Sequence, residues 1–185
     1  MKNNKTLTAG IFFLLTLGFV NLAQANIGSG VIFKPDLIYT TKTQGQGTTT
    51  TTTEQVLDLS LGFLGNNGLF YGVKYANYTY SVGGTDITLP KLGAGIGYVS
   101  GGWNFIFNYF IDAQYKVTST STYKGTGFEF DLGYAFNAGG WAVGPTLSYF
   151  SNTFTKLSSS GTEVDVSPNY TLTGIVPKIS LWFSF

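Results

Sequence analysis

Residues 103–117 read WNFIFNYFIDAQYKV. Trp103, Phe105, Phe107, Tyr109, Ile111, Ala113 and Tyr115 fill one set of alternate positions, and Asn104, Asn108, Asp112, Gln114 and Lys116 fill the other. A period of two sustained over that length belongs to a β-strand with one apolar and one polar face, since successive side chains leave a strand on opposite sides. Gly101-Gly102 in front of it marks a tight turn. The stretch therefore predicts a strand that meets an apolar medium on one side only.

The same alternation recurs outward in both directions, over residues 30–43, 54–64, 69–82, 87–99, 127–136, 141–154 and 170–185. Eight strands are expected. The connections at 65–68, 101–102 and 139–140 are short and built of Gly and Asn, whereas the others are longer and richer in Thr and Ser, among them the QGQGTTTTTT run and the polar stretch 156–168. Short turns at one end and longer loops at the other describe an up-and-down antiparallel meander. Pro35, Pro145 and Pro177 fall on the apolar face, and each is expected to mark a bulge or a strand end, because proline cannot donate to the ladder.

Composition narrows the solvent. Of 185 residues, 43% are hydrophobic and 17% aromatic but only 10% charged, with 25 glycines, no cysteine and no histidine. A net charge of +1 offers no basic field for nucleic acid. Without Cys or His there is no disulfide framework, no Cys/His zinc site and no histidine-based triad, so no catalytic residue, metal or cofactor is expected. Met1–Lys5 carries two lysines, an apolar core follows, and Ala23-Gln24-Ala25 matches a secretory cleavage pattern. Residues 1–25 are expected to be a signal peptide and 26–185 one barrel domain. No later run reaches the roughly 18 apolar residues of a membrane helix.

A soluble barrel of the lipocalin type would need a charged exterior. Here the polar face is mostly Gly, Ser and Asn, too small and too sparsely charged to be a solvated surface. Turning the sheet inside out resolves this. Lipid covers the apolar face, the polar face lines a closed lumen, and closure leaves no unpaired backbone edge. The aromatics divide into two belts, Phe63, Tyr71, Tyr98, Trp103, Phe105, Phe136, Trp141 and Phe183 near the short turns and Tyr39, Tyr80, Tyr115, Tyr149 and Tyr170 near the other end.

Parity places Lys34, Asp36, Asp58, Lys74, Lys91, Asp112, Lys116, Glu129, Asp131 and Lys178 in the lumen. Partners across a hairpin have residue numbers of constant sum, which predicts Asp58 level with Lys74, Lys91 level with Asp112, and Lys178 beside Asp36 where the last strand meets the first. Such charges should pair, because buried unpaired charge costs several kcal/mol. A plugged interior is expected, with a charge gate as the alternative. Lumen-parity Ile106, Phe110, Phe150 and Phe154 are apolar and motivate a second alternative, a channel for small or apolar molecules.

The chain ends IVPKISLWFSF. With the leader and eight alternating strands, this terminal strand resembles that of the small outer-membrane barrels of the OmpA and OmpX type. The resemblance implies that Phe185, Phe183, Leu181 and Ile179 are read by the barrel assembly machinery. It also implies lipid and lipopolysaccharide of the bacterial outer membrane as surroundings, a structural role or a surface ligand met through extracellular loops, and no enzymatic activity, since the enzymatic barrels of this architecture rely on a histidine base. The alternative is a narrow channel for small or apolar molecules of the OmpW type.

Overall fold

A computed structural model describes residues 27–46, 48–82, 85–117 and 121–185. The expected signal peptide lies outside the described residues. The elements are β1 (Gly30–Gln46), β2 (Thr48–Leu64), β3 (Leu69–Val82), β4 (Thr85–Ser100), β5 (Trp103–Lys116), β6 (Ser121–Tyr134), β7 (Phe136–Asn137), β8 (Trp141–Ser159) and β9 (Thr162–Ser184). From β1 to β6 consecutive strands pair antiparallel, as do β8 and β9; β9 pairs with β1, and β6 and β7 both pair with β8, so the sheet closes on itself. The two-residue β7 continues β6 beyond Tyr134 and Ala135, which makes eight long strands as the alternation predicts. Followed once round, the ladder returns to β1 about ten residues further along. For eight strands that shear corresponds to a tilt of roughly 40° and a backbone cylinder about 8 Å in radius. Side chains from opposite walls meet across such a cylinder.

The three short turns lie at the same end as the start of β1 and the end of β9. At Gly101 and Gly102 both residues take positive φ, 57° and 87°, the backbone sense that a two-residue hairpin turn requires. At the other end the strands run further than the sequence predicts. β1 continues to Gln46 and β2 begins at Thr48, because β-branched threonine extends a ladder as readily as it makes a loop. The polar stretch 156–168 is likewise strand rather than loop, turning at Ser160-Gly161.

The faces divide as parity requires over most of the barrel. Outside stand Phe33, Leu61, Phe63, Tyr71, Val73, Ile96, Tyr98, Trp103, Phe105, Phe107, Phe130, Leu147 and Ile179, all exposed. Inside are charged and polar residues in the middle of the lumen, with apolar residues at both ends. This is the inverse of a water-soluble barrel, whose largest side chains turn inward.

Parity breaks once where it matters. On β5 Ile111 and Asp112 are both exposed, at a bulge where Phe110 pairs with Gly93 and Asp112 pairs with Leu92. The extra residue turns every later side chain over. Ala113 and Tyr115 therefore enter the lumen side, while Asp112 and Lys116, both expected inside, are exposed. Consequently Lys91 is level with Ala113 and not with Asp112. The physical reason lies across the lumen, where Val56, Leu89, Phe150 and Phe154 form an apolar layer at that height and offer no partner for a buried charge. Tyr115 accordingly leaves the expected outer belt, and Tyr170 leaves it because its even number on β9 shares the lumen face with Lys178; both stack with Tyr123 and Phe154 at the loop end, with ring centroids 5.5–6.1 Å apart for Tyr123–Tyr170, Tyr115–Tyr170 and Tyr115–Tyr123.

The prolines mark neither bulges nor strand ends. All three lie inside β1, β8 and β9, and the bulges fall elsewhere, on either side of Leu92/Gly93, Phe110/Ala113, Lys124/Gly125 and Phe154/Lys156. Each instead sits at a gap in a ladder. Pro145 faces the break between β6 and β7, and Pro35 lies between the Phe33–Phe183 and Asp36–Ser180 pairs.

Candidate functional site

The middle of the lumen is an ionic belt. Four lysines, Lys34, Lys74, Lys91 and Lys178, meet four carboxylates, Asp36, Asp58, Glu129 and Asp131, and none of the eight is more than 2% exposed. Glu129 is the hub. Its Oε1 accepts from Lys178 at 2.6 Å and Lys74 at 2.7 Å, and its Oε2 accepts from Lys91 and from the Tyr78 hydroxyl, both at 2.7 Å. Lys74 also donates to Asp131 at 2.8 Å and lies 3.2 Å from Asp58. Lys178 binds Asp58 as well, and Lys34 binds Asp36 at 2.5 Å. Asn108 donates to Asp131 Oδ2 at 3.1 Å, and Ser148 donates to Asp131 Oδ1. All eight long strands thus send a polar side chain into one layer.

Eight of the ten charges expected in the lumen are buried in the belt, and of the three expected pairings only Asp58 with Lys74 is in contact. Asp58 and Lys74 touch, although the ladder sets Asp58 opposite Ala76 and Lys74 opposite Ser60, two residues off the predicted register but on the same face. Lys178 is level with Thr146 and reaches Asp58, Glu129 and Asp131 rather than ending beside Asp36. Asp36 is taken by Lys34 on its own strand, with Lys74 at 4.0 Å. Asp112 and Lys116 are outside the belt, as above. Phe183 and Ile179 pair with Phe33 and Leu37, and Phe185 exchanges two backbone hydrogen bonds with Val31, so the terminal residues lie on the strand that closes the ring.

Two members escape sequence reading. Tyr78 bonds Glu129, receives Lys178 at 3.4 Å, and forms one side of an aromatic box over the Lys91 ammonium, with ring centroids at 4.3 Å for Tyr78, 4.4 Å for Phe110 and 4.9 Å for Phe150. A desolvated ammonium gains up to about 2 kcal/mol from each such face. Trp182 lies fully buried at the turn end, edge-on to Phe70 at 6.3 Å and under Lys34 at 5.3 Å. Its even number on β9 was the available signal, since Lys178 and Ser180 share that face. Space for Phe70 comes from Gly62, where an added Cβ would come within 2.8 Å of the ring.

Apolar layers close the belt above and below. Ile27, Ile32, Leu64, Phe70, Val99, Ile106, Ala135, Ala142 and Trp182 fill the turn end, and Val56, Tyr78, Leu89, Ala113, Phe150 and Phe154 form the layer toward the loops. That second layer is incomplete and leaves a cavity of about 550 Å³. Among the described residues no group of three or more His, Cys, Asp or Glu is placed to hold a metal ion.

Outside the lumen, the tip of the β8–β9 hairpin carries a second ion group. Glu163 accepts from Lys124 at 2.8 Å and Lys156 at 2.9 Å, and these two hydrogen bonds hold its carboxyl at a pKa of about 2 against an ordinary 4.5. A depressed carboxylate stabilises the fold above its unfolded pKa and loses that contribution as pH falls through the folded one. Amide protection at residues 157–164, the exchange rate relative to the intrinsic rate at each pH, should stay constant from neutral pH down to about 5 and fall between about 4.5 and 2. Protection already lost at pH 5 would contradict the pairing.

No protein-family model and no curated protein matches the chain. Among solved structures it is similar to OmpT, an outer membrane protein of Vibrio cholerae in its trimer form, at 15% identity over 86% of this chain and 53% of that one, with a TM-score of 0.33. It is also similar to the translocator domain of the autotransporter NalP from Neisseria meningitidis, at 13% identity over 95% of this chain and 67% of that one, with a TM-score of 0.36. The chain spans about half the length of the Vibrio barrel. No residue role transfers from either.

Proposed function

We propose that this chain is an integral outer-membrane barrel with a structural and surface-presenting role, whose lumen is sealed against ions. The observation that carries the reading is the ionic belt, neutral overall and contributed by every long strand, with an apolar layer on each side. A permeating ion would have to displace a lysine or carboxylate from its partners and then cross a predominantly apolar layer. A continuous channel for apolar molecules meets the same barrier from the other side, because its solute would have to part charges that are paired with one another.

The membrane assignment rests on the exterior. Exposed Phe, Tyr, Trp, Leu and Ile side chains ring the barrel, and the β1–β9 pairs close the ladder from the turn end to the Leu37–Ile179 level, the backbone arrangement that lets strands cross a bilayer. The surroundings in this reading are outer-membrane lipid and lipopolysaccharide, reached after export through a cleaved leader. The barrel assembly machinery acts on Phe185, Phe183, Leu181 and Ile179, and the extended hairpins offer a surface to a ligand.

Two measurements on the purified, refolded chain test this. A folded band that migrates differently before and after boiling is expected, together with the absence of steady conductance in a planar bilayer. Equal mobility would overturn the membrane barrel, and a large, steady conductance would overturn the sealed lumen.

A further inference from the structure

The lysines divide by side of the wall. Lys34, Lys74, Lys91 and Lys178 belong to the belt, and the others whose side chains are described, Lys116, Lys124 and Lys156, stand together outside on β5, β6 and β8. The register sets them in two ladder rows. One runs Gln114–Lys124–Lys156–Asp165, and the other, nearer the loop end, runs Lys116–Thr122–Ser158–Glu163. Between the rows lies the Tyr123–Leu157 pair, and Tyr123 belongs to the aromatic stack inside, so the residues on either side of it turn outward. Lys116 and Lys156 are exposed, and Lys124, Thr122 and Ser158 are half-buried.

Charge and place together mark this face. Lys124 and Lys156 are directly opposite each other on paired strands, an arrangement that like charges disfavour unless a negative group lies between them. Glu163 supplies one here, reaching from the upper row to bridge both ammoniums at 2.8 and 2.9 Å. The hydroxyl-bearing Thr122 and Ser158 fill the upper row between Lys116 and Glu163. A phosphate monoester brings three acceptor oxygens and a charge of about −1.5 to −2, so it meets both bridged lysines and has an oxygen left for Lys116. The remaining carboxylates lie at the margins, Asp165 beside Lys156 and Asp112 below Gln114, from which it accepts at 3.1 and 3.3 Å.

The same three strands carry an outward-facing aromatic row, Phe107, Phe128 and Tyr149, with neighbouring centroids 6.1 Å apart. Lys124 is four residues beyond Phe128 on β6, a rise of about 10 Å at the barrel's tilt. That sets the ammoniums at the interfacial layer outside the hydrocarbon, which is about 5–8 Å deep on each side of a bilayer, and flexible lysine stems reach it readily.

We propose that this face of β5, β6 and β8 is a docking site for a phosphate-bearing lipid of the leaflet at the loop end, its phosphate held by Lys116, Lys124 and Lys156 in the place that Glu163 occupies here and its hydrocarbon chains lying along Phe107, Phe128 and Tyr149. The site rests on the membrane-barrel reading and gives that barrel's outer face a partner. Glu163 competes with the phosphate for the same two ammoniums, so removing its charge strengthens lipid binding even though it loosens the hairpin.

The test counts lipid bound to the full refolded chain by native mass spectrometry, from micelles containing either phosphatidic acid or the diacylglycerol with the same chains, with soluble glycerol phosphate as a third arm. Phosphatidic acid is expected to bind, and diacylglycerol and glycerol phosphate to bind at least about tenfold more weakly, since each lacks one half of the contact. Changing Lys124→Gln and Lys156→Gln together should reduce phosphatidic acid binding by about tenfold or more, whereas Glu163→Gln should raise it severalfold. Both changes remove the same surface ion pairs, so a purely structural role would move binding in one direction. Equal binding of phosphatidic acid and diacylglycerol, glycerol phosphate binding as tightly as the lipid, or binding not raised in Glu163→Gln would overturn the proposal. Band mobility before and after boiling, recorded for each variant, reports separately on the membrane barrel.

Discussion

Glu129→Gln is expected to lower the unfolding free energy by about 3–5 kcal/mol, the cost of breaking a buried ion pair on one side only. Four donors converge on this carboxylate, and glutamine would leave four lysines facing three anions in a layer without water access. The cost comes chiefly from the stranded cations and much less from the lost bonds. A compensating change therefore distinguishes this cause from general damage. Lys91→Met in the same chain removes one cation that sits in an aromatic box, where a thioether packs well, and should return a good part of the loss. Urea titration in lipid vesicles, followed by the fluorescence of outward-facing Trp103 and Trp141, measures both. A double variant no more stable than Glu129→Gln alone would show that the belt does not act through charge balance.

Trp182→Ala should cost about 3–5 kcal/mol by emptying the turn-end core. The indole fills the space between Phe70 and Lys34, and both would face a void. Its Nε1 makes no hydrogen bond. Trp182→Phe therefore loses volume and no polar partner, and should cost about 1–2 kcal/mol in the same titration. Equal losses in the two variants would mean that the indole N–H has a partner, and that the layer is less dry than its residues imply.

Much of this was legible because a barrel strand has a period of exclusively two, so one residue number gives the side of the wall. Lys34, Asp36, Asp58, Lys74, Lys91, Glu129, Asp131 and Lys178 all obey it, as do the apolar Ile106, Phe110, Phe150 and Phe154. The hairpin sums erred by two for Asp58 and Lys74, which preserves the face and shifts the partner. Choice among partners was beyond the sequence because lysine spans several ladder steps. Once the lumen is about 16 Å across at the backbone, an ammonium reaches the opposite wall, as Lys74 and Lys178 on β3 and β9 reach Glu129 on β6.

The stretch 103–117 holds both halves of the lesson. Its alternation alone determined a strand with one apolar side turned outward, and with its seven counterparts it determined a closed antiparallel barrel, because the period is a local property of the chain. Where the alternation fails, at Ile111 and Asp112, the cause is not on β5. An apolar layer on the facing strands would not take a carboxylate, and the backbone inserted a residue to turn Asp112 out and Ala113 in. The β1–β9 seam, paired among the described residues only between Ile32–Ser184 and Leu37–Ile179, has the same character. Pro35 and Pro177 are visible in the sequence, but only the register between the first and last strands, set by closure of the ring, decided that both missing donors point at each other's strand.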